Sequence, residues 1–172
     1  MSMLYAVIHY PDIDAHHINQ FRKKYDSQFD LIEPHITLVF PVPESIGESN
    51  LTRHIETVLK NWSPFPIHLK SLQGSSDGYL FLLVQEGYVD INNLHTELYT
   101  GILAEYRRGD LPYVPHMTLG TFSGVADNYS EAFEEAEQLR LEFHCKLDRL
   151  HIVKINDERT QIVWSRECLL QG

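Results

Sequence analysis

Cysteine and long apolar runs are both scarce in this chain of 172 residues. The two cysteines, Cys145 and Cys168, form no Cys-x-x-Cys pair, so neither a disulfide framework nor a cysteine zinc site is expected. No apolar run is longer than Tyr79–Val84, far below the roughly 20 residues of a membrane-spanning helix. The residues from Met1 to His9 show neither the basic leader nor the cleavage site of a secretory signal. We therefore expect a soluble, cytoplasmic protein with no membrane partner.

Positive charge is also in short supply, with 14 Lys+Arg against 24 Asp+Glu and a formal net charge of -10. Proteins that hold long nucleic acids on an extended basic face have the opposite balance. Neither glycine-rich phosphate-loop pattern occurs, and the ten histidines show no His-Glu-x-x-His or other metal-ligand spacing. We therefore expect a monomer with no cofactor, no metal site and no extended nucleic-acid surface. A local pocket for a small anion remains open.

The periodic segments of the chain occur in an order that repeats once. Alternation predicts a first strand at 3–10, and apolar residues at helical spacing after Asp14, a good N-cap residue, predict a helix at 14–27. A strand at 35–40 follows, and Ser45–Glu48 has the form of a capping box that starts a second helix. The first half ends with two predicted strands, at 65–73 and 79–85.

The second half repeats this order. Asp90 is expected to cap a helix whose apolar stripe reaches Tyr106, and Asn128–Glu131 again has the form of a capping box. Further strands are predicted at 116–122, 141–155 and 160–169. Each half therefore contains helix, strand, helix, strand and strand. This order indicates two similar lobes, roughly 14–85 and 90–170, within one globular domain of residues 1–172.

One short string stands at the same place in both halves: Pro34-His35-Ile36-Thr37-Leu38 and Pro115-His116-Met117-Thr118-Leu119. Successive side chains of a strand point to opposite faces, so the histidine and the threonine of each string share one face and the apolar residues share the other. If a rough two-fold axis relates the lobes, two imidazoles and two hydroxyls converge on one cleft. Such a cleft is a symmetrical site for one tetrahedral anion.

Two histidines can cleave a phosphodiester without a metal ion. One neutral imidazole takes a proton from water, and the other, as an imidazolium, gives a proton to the departing oxygen. An unperturbed histidine pKa near 6.5 permits both states close to neutral pH, and the threonine hydroxyls can donate hydrogen bonds to the non-bridging oxygens. The near symmetry of the strings leaves open which histidine is the base. The alternative is that both strings are ordinary strand starts with polar residues on the surface.

With these strings the chain resembles the 2H phosphoesterase superfamily, which includes bacterial 2′-5′ RNA ligases and RNA 2′,3′-cyclic phosphodiesterases. The resemblance rests on the two strings, their separation and the duplicated order of elements, and it covers nearly the whole chain. It implies that His35 and His116 are catalytic, that Thr37 and Thr118 bind phosphate, and that no metal is required. The implied fold is a bilobal α+β domain, in which two antiparallel sheets with flanking helices surround a central cleft and a pseudo-two-fold axis relates the lobes.

The resemblance also implies the reaction, which is hydrolysis of a cyclic phosphodiester such as a nucleoside or RNA-terminal 2′,3′-cyclic phosphate. The expected partner is therefore a small cyclic phosphate or an RNA terminus. Many relatives carry a basic residue shortly after the second string, where Gly120, Thr121 and Phe122 stand in this chain. This departure argues against a long RNA substrate. A function of a different class stays open as well, in which the cleft binds a nucleotide or RNA end without turning it over.

Three further residues are weaker candidates for substrate contact. His9 alternates with Tyr5 and Val7 on the first strand and could reach the cleft, although a core or solvated histidine is the simpler interpretation. Tyr79 shares a strand face with Phe81 and could stack on a base, although such pairs more often belong to a core. Tyr113 precedes His116 by three residues and is expected at the cleft mouth.

Overall fold

A computed structural model describes residues 2–122 and 126–172 of the chain. Its helices are α1 (His16–Tyr25), α2 (Glu48–Leu59), α3 (Tyr88–Leu98) and α4 (Ala126–Leu139), with short 3-10 turns at Glu44–Ile46 and Gly101–Tyr106. Its strands are β1 (Leu4–His9), β2 (Ile36–Pro43), β3 (Phe65–Gly74), β4 (Tyr79–Val84), β5 (His116–Thr121), β6 (Glu142–Leu147), β7 (Arg149–Ile155) and β8 (Ile162–Leu169). None of the helices described is both long and apolar enough to span a bilayer.

All eight strands form one antiparallel sheet in the order β6-β3-β4-β5-β2-β1-β7-β8. The α+β class is confirmed, but the expected pair of separate sheets is replaced by a single one. The reason is the contact between β2 and β5, where Ile36 and Met117 are register partners and join four strands on each side. Since this is the one register pair between the two strands, the halves of the sheet meet there and then diverge.

The predicted strand at 141–155 is two strands, because Asp148 separates β6 from β7. β6 pairs with β3 in one half of the sheet, whereas β7 pairs with β1 and β8 in the other half. Each half of the sheet therefore contains strands from both halves of the sequence. The chain passes from one half of the sheet to the other at Asp148, and the alternation of residues within 141–155 does not predict this crossing.

The helices pack on one face of the sheet and bury the apolar residues of the two strings. Ile36, Leu38, Met117 and Leu119 are each 0% exposed in the main core. Burying a side chain of this size stabilises the fold by roughly 1.5–3 kcal/mol. A shift of one residue in the strand register would turn these apolar side chains to the open face and the histidines and threonines into the core. Burial of the apolar residues therefore determines which face of the sheet the polar residues occupy.

All four helices begin at a position other than the one predicted from the capping residues. α2 and α3 begin directly after Gly47 and Gly87, whose φ angles of 85° and 86° suit glycine and redirect the chain. Asn128 lies inside α4 rather than at its start. Asp14 does accept a hydrogen bond from the His16 backbone N–H at 3.2 Å, although the N-cap position itself is the next residue. The helix predicted to reach Tyr106 ends at Leu98, and the left-handed Gly101 (φ 54°) follows.

Candidate active site

The structure brings the two His-x-Thr strings together on neighbouring strands. Ile36 of β2 and Met117 of β5 are antiparallel partners, so one further step of the register places His35 opposite Thr118 and Thr37 opposite His116. Side chains directly opposite one another have Cβ atoms roughly 4.5–5.5 Å apart. All four polar side chains lie on the face opposite the helices, since Ile36 and Met117 point into the core. The structure thus gathers two imidazoles and two hydroxyls over one junction.

Both imidazoles are anchored in the same way. His35 Nδ1 lies 2.8 Å from the carbonyl oxygen of Glu33, and His116 Nδ1 lies 2.6 Å from that of Val114. A carbonyl oxygen can only accept a hydrogen bond, so Nδ1 of each ring donates. In a neutral ring Nε2 then carries the free lone pair. The proline between each histidine and its carbonyl partner shapes this short turn with its fixed φ angle. Each Nε2 is therefore held ready to accept or donate a proton.

A buried ion pair organises the loop that precedes His35. The Arg22 side chain is 2% exposed, and its Nε lies 2.7 Å from Oδ2 of Asp26. Arg22 Nη2 donates to the carbonyl oxygen of Ile32 at 2.7 Å, next to the Glu33 carbonyl that anchors His35. Asp26 Oδ1 accepts the backbone N–H of Gln28 at 2.9 Å, which closes the start of the same loop. Sequence reasoning missed this pair, although the i,i+4 spacing of Arg22 and Asp26 was the available signal.

The two histidines face different charges. Burial lowers the pKa of His35 to about 4; the nearby Arg22 guanidinium acts in the same direction, whereas the Glu33 hydrogen bond and the Asp26 carboxylate oppose it. Burial also lowers the pKa of His116, against the Val114 hydrogen bond and the Asp77 carboxylate, which favour the charged ring. Both imidazoles are thus biased toward the neutral form, and they differ in the charges nearby: Arg22 and Asp26 act on His35, and Asp77 acts on His116.

An aromatic wall continues from His116 along β4. The Phe81 ring lies over the His116 ring with 3.7 Å between centroids, and Tyr79 stacks on Phe81 at 5.9 Å and 15°. Tyr79 is 37% exposed and borders a cavity of about 330 Å³, which is open to the surface. The cavity lining also includes Lys24, Tyr25, Ser27, Asp77, Gly78, Thr121, Phe122 and Asn128. The Phe81 ring, which the predicted site did not contain, therefore lies between Tyr79 and His116, and the cavity begins on the far side of Tyr79 from the histidines.

Comparison with known proteins places this site within a family. The model of the 2′-5′ RNA ligase superfamily matches residues 10–159, a span that contains both His-x-Thr strings. The chain belongs to the 2′-5′ RNA ligase superfamily. Its relatives in this superfamily include proteins of Geobacillus thermodenitrificans and Geobacillus kaustophilus that are named as phosphoesterases. They are 28% and 26% identical over 138 residues, which cover 78% of each chain. Family and relatives together support a phosphoesterase activity.

Solved structures of E. coli LigT have a fold similar to that of this superfamily member. The apo form gives a TM-score of 0.51 and the complex with NADP+ a TM-score of 0.50. Both alignments cover 98% of this chain and 94% of LigT at 14% identity. The α+β architecture described above is therefore one that the superfamily member shares with LigT.

Tyr113 of this 2′-5′ RNA ligase superfamily member supports β2 instead of lining the cleft mouth. Its hydroxyl donates to the carbonyl oxygen of Thr37 at 2.7 Å, and its ring stacks on His95 with 3.7 Å between centroids. His95 Nδ1 in turn lies 2.8 Å from the Leu38 carbonyl oxygen, and Tyr99 Oη accepts the Phe40 N–H at 2.9 Å. These three side chains bond to the β2 backbone just beyond its single register pair with β5. Tyr113 is thus a positioning residue for Thr37.

His9 does not join the histidine pair. It is the register partner of Ile36 across β1 and β2, so it points to the helix-covered face, away from His35. Its side chain is buried, and Nδ1 lies 2.9 Å from the Arg149 carbonyl oxygen. The expectation of substrate contact is corrected here: in this superfamily member His9 is a core histidine.

Proposed function

We propose that this protein hydrolyses a nucleoside or RNA-terminal 2′,3′-cyclic phosphate to a monoester, using His35 and His116 as general base and general acid without a metal ion. The observation that carries the proposal is the antiparallel pairing of the two His-x-Thr strings. It sets two imidazoles with equivalent Nδ1 anchors on one face of the sheet, beside two hydroxyls. The phosphoesterase activity that the family supports needs this combination of proton donor, proton acceptor and anion-binding groups.

The charges around the two rings assign their roles. His35, whose pKa burial lowers to about 4, is neutral and takes the proton from an attacking water at Nε2. The water oxygen forms a bond to phosphorus, and the bond from phosphorus to one ribose oxygen breaks. His116, whose charged form Asp77 favours, gives its Nε2 proton to that ribose oxygen. Solvent then restores both protonation states. Each histidine is expected to contribute about 10²- to 10⁴-fold to the rate.

Thr37 and Thr118 are placed to bind the phosphate during this step. Each threonine lies opposite the histidine of the other strand, so the two hydroxyls flank the point midway between the imidazoles. Negative charge grows on the non-bridging oxygens as phosphorus becomes five-coordinate, and a hydrogen bond that strengthens there lowers the barrier. Tyr113 holds the Thr37 backbone in position for this contact.

The surroundings of the histidines favour a small nucleotide-like substrate. Tyr79 and Phe81 present a stacked aromatic pair beside His116, and nucleobases stack on such rings. The cavity of about 330 Å³ that Tyr79 borders, at the end of this aromatic pair, has room for a nucleoside but not for a long strand. The net charge of -10 also disfavours an extended RNA on the surface. E. coli LigT, which has a similar fold, has been solved with the dinucleotide NADP+.

Turnover of 2′,3′-cyclic nucleotides in the presence of EDTA tests the proposal. We expect conversion to a monoester by the wild type and by His17→Ala, a control at an exposed histidine of α1. Values of kcat/KM then rank a panel of cyclic phosphates. The panel contains 2′,3′-cyclic mononucleotides, short oligoribonucleotides that end in a 2′,3′-cyclic phosphate, and a cyclic phosphate of ADP-ribose. Tight binding of these compounds without turnover of any would support the non-catalytic binding module instead.

The pH dependence of kcat/KM should be bell-shaped, with its maximum on the acid side of neutrality. His35 must be neutral to act as the base, so activity rises as pH increases through its pKa of about 4. His116 must be protonated to act as the acid, and burial lowers its pKa below the ordinary histidine value of 6.5, so activity falls as pH rises toward neutrality. Asp77→Asn, which removes a charge that favours the imidazolium, should move the alkaline limb to lower pH. A monotonic profile, or a maximum above neutrality, would contradict this assignment.

A further inference from the structure

Two histidines and a glutamate converge at one edge of the sheet, away from the candidate active site. His68 of β3 and His144 of the edge strand β6 are register partners, and their rings stack with 4.1 Å between centroids and 5° between planes. Glu142 lies two residues before His144, on the same face of β6. Its Oε1 is 2.8 Å from His68 Nε2 and 3.9 Å from His144 Nε2. One ligand atom from each of these three residues lies within 4.8 Å of the others.

We propose that His68, Glu142 and His144 form a binding site for a divalent transition-metal ion of the Zn²⁺ class. Imidazole nitrogen and carboxylate oxygen are the ligands that Zn²⁺ takes, at roughly 2.0–2.2 Å in a tetrahedral arrangement. Neighbouring ligands of such a tetrahedron are roughly 3.3 Å apart. The two separations measured from Glu142 Oε1 fall on either side of this value. Water would complete the coordination.

The backbone that carries His68 is held in place for this role. Its N–H donates to the Glu86 carbonyl oxygen at 3.0 Å, and its carbonyl oxygen accepts the Gln85 N–H at 2.7 Å. The His144 side chain is 69% exposed, so its ring can leave the stack with His68 and turn its Nε2 lone pair toward the shared point. His68 and Glu142 are therefore already in contact, and the exposed His144 ring supplies the adjustment.

The electrostatics of the cluster suit a cation. Glu142 supplies a carboxylate whose Oε1 faces both imidazole Nε2 atoms. Lys70 Nζ lies 3.6 Å from the same oxygen, but its side chain is 54% exposed and can turn into solvent when an ion binds. Without a metal the His68–Glu142 contact is a hydrogen bond at the protein surface. A bound ion would cross-link β6, at one end of the sheet, to β3.

No metal spacing in the sequence predicts this site, because its ligands come from strands that are distant along the chain. It is also separate from the histidine pair: β4 lies between β3 and β5. The proposal therefore does not depend on the reaction proposed above. It adds a metal site where the histidine spacings along the sequence gave no reason to expect one.

Calorimetric titration of the metal-free, untagged protein with Zn²⁺ tests the proposal, together with the visible absorption spectrum of the Co²⁺ form. We expect one ion per chain and an increase in Tm on binding. Loss of an outer-shell partner already costs about 10- to 100-fold in metal affinity, so His144→Ala and Glu142→Gln should each weaken binding at least roughly tenfold. The double variant His16→Ala/His17→Ala removes another exposed histidine pair, whose centroids are 5.3 Å apart, and should bind like the wild type.

Two results would overturn the proposal. One is equal Zn²⁺ affinity of the wild type and the double variant His68→Ala/His144→Ala, with circular dichroism showing that both are folded. The other is no saturable binding to the wild type below about 1 mM, the affinity of a weak surface contact. Hydrolysis of cyclic phosphate by His144→Ala in EDTA should equal that of the wild type, so failure of this proposal and failure of the proposed function give different results.

Discussion

Replacing His35 or His116 with alanine is expected to lower kcat for cyclic phosphate hydrolysis by about 10²- to 10⁴-fold. Each variant loses the one Nε2 that its neighbours hold ready for proton transfer. Steady-state kinetics on a 2′,3′-cyclic nucleotide measures the loss. The exposed His17 provides the matched control, because His17→Ala makes the same chemical change outside the site. A loss as small as that of the control would exclude the two-histidine mechanism.

The same two variants can also distinguish the base from the acid. A nitrophenyl phosphodiester releases a phenolate that leaves without a proton, so its hydrolysis needs the base but not the acid. We therefore expect His116→Ala to retain much of its activity on this substrate, whereas His35→Ala stays impaired. The reverse pattern would exchange the two roles. Equal impairment of both variants would show that the charges of Arg22 and Asp77 do not separate the roles.

Arg22→Met is expected to destabilise the protein by about 3–5 kcal/mol, because it leaves the Asp26 carboxylate charged, buried and unpaired. For a chain of this size this corresponds to a fall in Tm of roughly 6–20 °C. Arg22→Met also removes the donor to the Ile32 carbonyl oxygen, so the loop that anchors His35 should loosen. Thermal and denaturant unfolding measure the loss of stability, and kcat of the folded fraction measures its effect on the site.

Lys24→Met is the matched control for Arg22→Met. Lys24 lies on the same helix and forms an ion pair with Glu135, but its side chain is 61% exposed. Such a surface pair is worth about 0–1 kcal/mol, so this substitution should change stability little. The double variant Arg22→Met/Asp26→Leu removes both buried charges and should recover much of the stability lost in Arg22→Met. If Arg22→Met costs no more than Lys24→Met, the ion pair does not organise the loop.

Local chemistry made much of the fold predictable. The polar and apolar residues of the two strings alternate, and the structure puts Ile36 and Met117 in the core and His35 and His116 on the other face. Alternation also located β3, β4 and β8 to within a few residues. These features depend on neighbours along the chain, which the sequence displays directly. Helix starts were less predictable, because Gly47 and Gly87 redirect the chain where a capping box at Ser45–Glu48 and a cap at Asp90 had been expected.

The weaker site candidates show where sequence reasoning reaches its limit. Tyr79 is separated from His116 by the Phe81 ring, Tyr113 bonds to the Thr37 backbone, and His9 points into the core. His9 and Tyr79 were chosen from strand alternation and Tyr113 from its nearness to the second string, and these local patterns do not distinguish the three roles. Their roles depend on which backbone passes next to each side chain. Arg22 illustrates the converse, because a charged residue that no sequence pattern singled out is buried and acts electrostatically on His35.

By itself the sequence determined that two matched histidine–threonine strings would each begin a strand, with the polar residues on one face, and that the family would be recognisable from them. Only the tertiary structure decided that β2 and β5 are neighbours in one sheet, that β6 and β7 separate at Asp148, and that His68 meets His144. The physical reason is that strands pair through backbone hydrogen bonds, which are alike for every residue type. Which strands meet is therefore set by the packing of the whole core rather than by any local pattern.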